Sequence, residues 1–207
     1  MAITPVHPTV PLLDGLRAEM CSRFWSKTRL TTLSRIAVHC RQFEAWWKWE
    51  LATHLWNLAG CARLDVFIED NKRADITLAT PYQVDGVTRI DPRGAVCVPI
   101  ELKTIGTFWG SSPSQIKKAL GEPGKKRLAD DLSCLARATD RPARPFGVVA
   151  LLLTDHVGNK DAIDEYVEHA RGLGEHARVA LADSKRLILP PPHAGASPLA
   201  HLMIWAR

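Results

Sequence analysis

Two carboxylates and one ammonium are spaced so that two short strands would present them together. In a strand, successive side chains point to opposite faces. In Val96-Cys-Val-Pro-Ile-Glu-Leu-Lys-Thr104 this puts Val96, Val98, Ile100 and Leu102 on one inward face, and Glu101 and Lys103 on the other. In Arg73-Ala-Asp-Ile-Thr-Leu78 the inward row is Ala74, Ile76 and Leu78, leaving Asp75 on the polar side with Arg73 and Thr77. If the strands pair antiparallel across a long connection, Asp75 and Glu101 meet. Such a set suits hydrolysis of a phosphodiester. Paired carboxylates hold Mg²⁺, a hard cation that takes oxygen ligands. The ion polarises the phosphoryl oxygen and lowers the pKa of a bound water. Lys103 then orients the attacking water and offsets charge near the phosphate. The bland alternative is a half-exposed hairpin with a solvated face, since a lone ExK in a strand is common by chance.

The surrounding pattern supplies elements to position these groups. Leu12 to Trp25 predicts a short helix. From Ser34 to Leu58 a long helix is expected, its stripe formed by Phe43, Trp47, Leu51, His54 and Leu58. Strands follow at Arg63 to Ile68, Arg73 to Ala79 and Val87 to Ile90, with Asp85-Gly86 a hairpin turn, and then at Val96 to Ile105. A helix from Gln115 is interrupted at Gly121 to Gly124 and resumes from Lys125 to Ala138. Phe146 to Leu153 is a continuous apolar run, the signature of a strand buried on both faces. A helix over Asp161 to Leu173 and strands at Leu187 to Leu189 and Leu199 to Trp205 close the chain. The whole reads as one mixed α/β domain: a helical extension over 1–33, a core over 34–154, and a closing helix and strands over 155–207.

Asp75, followed 26 residues later by Glu101-Leu-Lys103 on an apolar strand, resembles the PD-(D/E)XK nuclease superfamily, which includes type II restriction endonucleases. The resemblance covers roughly Gln42 to Thr154, and Ala74 stands where the family name has proline. It implies a restriction-endonuclease-like αβββαβ core with a mixed sheet and extra N-terminal helices. It also implies Mg²⁺ on carboxylates, with Mn²⁺ able to substitute, and cleavage of DNA in preference to RNA. In such proteins the helix before the first strand often adds a glutamate, here Glu50 or Glu44. Both lie about 60° from the centre of the apolar stripe, on opposite sides, so periodicity does not choose. Glu50-Leu-Ala fits the family's usual run better, which makes Glu50 the expected auxiliary ligand. The helix after the ExK strand implies substrate contacts at Gln115, Lys117 and Lys118, with Lys125 and Lys126 beyond.

Other chemistries find little support. Gly121-Glu-Pro-Gly-Lys-Lys126 is not a phosphate loop, because Ala119 replaces the leading glycine and Lys126 sits where Ser or Thr should bind metal. The eight histidines show no HExxH, and no GxSxG is present. Five scattered cysteines form neither a disulfide framework nor a zinc knuckle. The 27 Lys and Arg exceed 22 Asp and Glu, a net +5 that permits a polyanionic partner without demanding one. Over 115–128 the excess reaches +4, suited to tracking a phosphate backbone or simply to a solvated helix face. Trp46, Trp47, Trp49 and Trp56 could stack on bases, but at helical spacing Trp47 is expected in the core and most of the others in the core or over an interface, a homodimer surface or the N-terminal arm. With no secretory pattern at the N-terminus and no apolar run near 20 residues, a cytoplasmic protein without a membrane span is expected. The competing function on the same scaffold is a non-catalytic nucleic-acid-binding or regulatory protein.

Overall fold

The structure, a computed structural model, describes residues 15–39, 44–59, 64–68, 74–90, 97–107, 122–138, 147–154, 160–194, 196 and 198–206. A six-stranded sheet runs through the middle. Its strands are β1 (Asp65–Ile68), β2 (Ile76–Ala79), β5 (Cys97–Thr107), β6 (Gly147–Thr154), β8 (Leu199–Ala206) and β7 (Leu181–Ile188), in that spatial order. Only β5 and β6 run parallel; every other neighbouring pair is antiparallel. A separate two-stranded ribbon, β3 (Pro81–Val84) and β4 (Val87–Ile90), lies in the chain between β2 and β5. Its turn is the expected Asp85-Gly86, both residues at positive φ (51° and 75°), as a two-residue hairpin loop of this hand requires.

Among the described residues, α1 (Lys27–His39), α2 (Glu44–Ala59), α3 (Glu122–Ala138) and α4 (Lys160–His176) accompany the sheet. A π-helical turn at Glu19–Arg23 precedes them, inside the segment expected to be helical. One face of the sheet, with Ile76, Leu78, Val98, Ile100, Leu102, Val149, Leu151, Ala200, Leu202 and Ile204, packs on α1, α2 and the π-helical turn. The other face, with Val148, Ala150, Leu152, Met203 and Trp205, packs on Leu128, Leu132 and Leu135 of α3 and on Val167 and Ala170 of α4. Strand β6 is buried from Gly147 to Leu152, as its unbroken apolar run required. Among the described residues, no helix is long and apolar enough to cross a membrane.

The single long helix expected over 34–58 is two helices. Arg29 of α1 binds Glu50 of α2 at 3.1 Å, whereas 21 residues of continuous helix would separate them by roughly 30 Å. The helices therefore lie side by side. His54 Nε2 meets Glu19 at 3.1 Å, tying α2 to the π-helical turn as well. The buried stripe of α2 is Trp47, Lys48, Leu51, Ala52 and Leu55, rotated from the expected one so that His54 falls at its border. Trp47 is core as expected. Trp49 and Trp56, however, are 62% and 55% exposed.

Candidate functional site

Strands β2 and β5 pair antiparallel, with Ile76 opposite Ile100 and Ala79 opposite Cys97. The ladder ends there, and Asp75 stands in a bend just before β2, beside the stretch of β5 that carries Glu101 and Lys103. Across the other edge of β5, Glu101 and Lys103 pair with Val148 and Ala150, whose side chains belong to the core under α3 and α4. Glu101 and Lys103 thus lie on the α3 side of the sheet. The expectation of a half-polar second strand is corrected: Ile76, Thr77, Leu78 and Ala79 are all buried, and the polar character sits at Asp75, just before the strand.

Lys103 Nζ binds Glu101 Oε1 at 2.7 Å and approaches Asp131 Oδ2 of α3 at 3.4 Å. That Asp131 oxygen is buried and lacks a hydrogen bond of proper geometry among the described residues. Asp75 uses both oxygens: Oδ1 takes the Lys48 ammonium of α2 at 2.6 Å, and Oδ2 accepts the Leu102 N–H at 2.9 Å. Burial pushes the Glu101 pKa up, and the Asp75 and Asp131 carboxylates add to this against the Lys103 hydrogen bond. Burial likewise raises Asp131, opposed by Lys103. For Lys103 burial alone would lower the pKa, but Glu101, Asp131 and Asp75 together raise it. The pattern is that of an acidic cluster short of positive charge.

A carboxyl whose native pKa is raised binds its proton more tightly folded than unfolded, so its contribution to stability grows as pH falls through the raised value. Asp131→Asn is therefore expected to raise Tm at neutral pH, with the gain shrinking as the pH approaches the ordinary aspartate range. Calorimetric scans of both proteins across that window check this. A Tm at neutral pH unchanged or lowered by the substitution contradicts it.

Of the residues expected from sequence, the structure gathers Asp75, Glu101 and Lys103. Glu50 is not among them: its carboxylate is held by Arg29, and it lies about 200° around the helix from Lys48, the α2 residue that does reach the acids. Glu44, one turn before Lys48, reaches β5 by accepting the Thr104 hydroxyl at 2.9 Å. By strand alternation, Thr104 is on the face opposite Glu101 and Lys103, alongside Ile100 and Leu102. Gln115, Lys117 and Lys118 lie outside the described residues, and Lys125 and Lys126 fall in the N-terminal part of α3 with their side chains outside them. Two members were not foreseen, Lys48 and Asp131. Each carried a signal, being a charge set in an apolar stripe: Lys48 beside Leu51, Ala52 and Leu55, and Asp131 between Leu128 and Leu135.

An alternative centre, Ser184 Oγ at 2.7 Å from His201 Nε2, resembles a nucleophile pair. The other ring nitrogen is buried without a partner among the described residues, so no carboxylate orients the imidazole. Burial and Arg186 lower the pKa of His201, leaving a ring with no third group to orient it as a base.

The donors are of the right chemistry for a hard divalent cation: all are carboxylate oxygens, and one Asp131 oxygen is unsatisfied. Among the described residues, no three or more His, Cys, Asp or Glu converge closely enough to hold an ion. An ion there would have Asp75 and Glu101 as its protein ligands and solvent for the rest. Compared with known proteins, the chain matches no family model, no curated protein and no solved structure.

Proposed function

We propose that this chain is a Mg²⁺-dependent nuclease of the PD-(D/E)XK type that hydrolyses phosphodiester bonds in DNA. The observation that supports the reading is the meeting of charges at one end of the β2–β5 ladder, where Asp75 accepts the Leu102 N–H and the flanking Glu101 and Lys103 bind each other. The order α2, β1, β2, β5, α3, β6 is compatible with an αβββαβ core into which the β3–β4 ribbon is inserted. A cation held by Asp75 and Glu101 supplies charge neutralisation at the phosphate and acidifies a water. The protein does the rest. The Leu102 N–H fixes one Asp75 oxygen, and Lys103 holds Glu101 while offering an ammonium to the attacked phosphate.

Digestion of plasmid and linear DNA with Mg²⁺, and again with EDTA, tests the proposal. Cleavage that survives EDTA, or no cleavage at all, counts against it. Because Glu50 is engaged by Arg29, Glu50→Ala is expected to leave the rate within one tenfold step, about 1.4 kcal/mol. Rate measurements beside Glu101→Ala check that contrast. The second reading, a non-catalytic binding protein, is favoured by one observation: both Asp75 oxygens already have partners.

A further inference from the structure

Lys48 is 8% exposed, on the helix packed against the opposite face of the sheet from Glu101, and its ammonium rests on Asp75 beyond the end of the β2 ladder. Lysine is almost never this buried unless paired, and burying an ion pair is weak support for a fold, because desolvation offsets the attraction. A well-packed apolar residue at 48 would serve packing as well. The lysine needs another reason to be there.

That reason follows from the charges. Among the described groups, Lys48 is the cation on Asp75, as Lys103 is on Glu101. A divalent ion bound to Asp75 at about 2 Å would sit on the same carboxylate as that ammonium, whether it takes Oδ1 or the remaining lone pair of Oδ2. Two cations on one carboxylate repel. We infer that Lys48 is a resident counter-ion for the metal site: it keeps Asp75 neutralised and oriented in the metal-free protein, and it weakens the affinity for divalent metal. Lys48 is therefore a positioning residue acting through Asp75, and the inference rests on the metal-site reading above. It assigns the site a competition, in which metal and ammonium share one carboxylate at a cost in affinity.

The sign of one measurement separates this from a structural role. A merely structural lysine, once removed, would leave Asp75 misplaced and metal binding weaker. A competing counter-ion, once removed, leaves binding tighter. In calorimetric titrations with Mn²⁺ on the full chain, Lys48→Met is expected to bind on the order of tenfold more tightly than the parent. Lys48→Arg keeps the charge and should stay near the parent affinity. Without metal, Lys48→Met should melt lower than the parent, and Mn²⁺ should raise its Tm by more. Should Lys48→Met fail to fold, Lys48→Gln retains a polar head without charge and makes the same prediction. Binding by the neutral variant that equals or falls below the parent's overturns the inference. Glu101→Gln distinguishes the two failures. If it and the parent bind Mn²⁺ alike, the metal-site reading has failed and this inference with it. If Glu101→Gln loses binding while the neutral variant is no tighter, only the role of Lys48 falls.

Discussion

Plasmid DNA incubated with Mg²⁺ should remain supercoiled when Glu101 or Lys103 is replaced by Ala, under conditions in which the parent protein converts it completely. Each loss is expected to reach about a thousandfold or more in rate, the range for removing a preorganised electrostatic group or a proton-transfer group. The two effects should not add. Glu101 and Lys103 share a 2.7 Å contact and, as nuclease residues, would act on one phosphate, so the double variant should cleave about as poorly as the worse single one. Circular dichroism and Tm keep the test fair, because both side chains are only about four-fifths buried and sit at the polar margin of the α3 packing. Measured cleavage close to the parent's in either folded variant removes the assignment of the site.

The largest stability effect is expected at Trp205. This β8 residue has no exposed surface and lies in register with Val148 of β6 and Leu181 of β7, on the face packed by α3 and α4. Trp205→Ala should cost about 3–5 kcal/mol, the usual range for emptying an aromatic site in a core. In a chain of this size that lowers Tm by roughly 6–20 °C. Gly174 of α4 is the complementary position. A Cβ there would stand 2.5 Å from Trp205 Nε1, 3.1 Å from its Cδ1 and 3.2 Å from the Val179 carbonyl. With the indole fully buried, Gly174→Ala should cost about 1–3 kcal/mol by overpacking. In a Trp205→Leu background the same substitution should be better tolerated, since the atoms it strikes are gone. A double-mutant cycle by urea unfolding measures that coupling. Strict additivity would mean the indole is not what the added methyl meets.

These residues also show how far sequence reasoning reaches. The alternation in Val96 to Leu102 assigned the faces of β5 because period two is enforced by the backbone itself, and the structure keeps Val98, Ile100 and Leu102 in one core with Glu101 and Lys103 on the other side. The apolar run of β6 and the Asp85-Gly86 turn were legible for similarly local reasons. The break between α1 and α2 was not. Neither glycine nor proline occurs from Ser34 to Ala59, and the fold-back is secured by tertiary ion pairs such as Arg29–Glu50. The same break explains Glu50. Its role depended on which side of α2 faces the sheet, and a stripe read from apolar residues alone left out the buried Lys48 and so placed that side wrongly. Lys48 and Asp131 escaped because charged residues are normally scored as solvent-facing. Their setting within an apolar stripe was the signal, and partners brought from other elements give it its meaning.

The β3–β4 ribbon makes no ladder pairs with the six-stranded sheet, yet it occupies much of the chain between Asp75 and Glu101. The distance in sequence between the two acids is therefore elastic, while their distance in space is fixed by four ladder pairs of β2 with β5. Lengthening, shortening or replacing that ribbon changes the count of intervening residues without moving either carboxylate. A pattern written as a fixed interval would discard this chain's own near-variants. One written as a pair of strand ends, with any excursion allowed between them, would keep them.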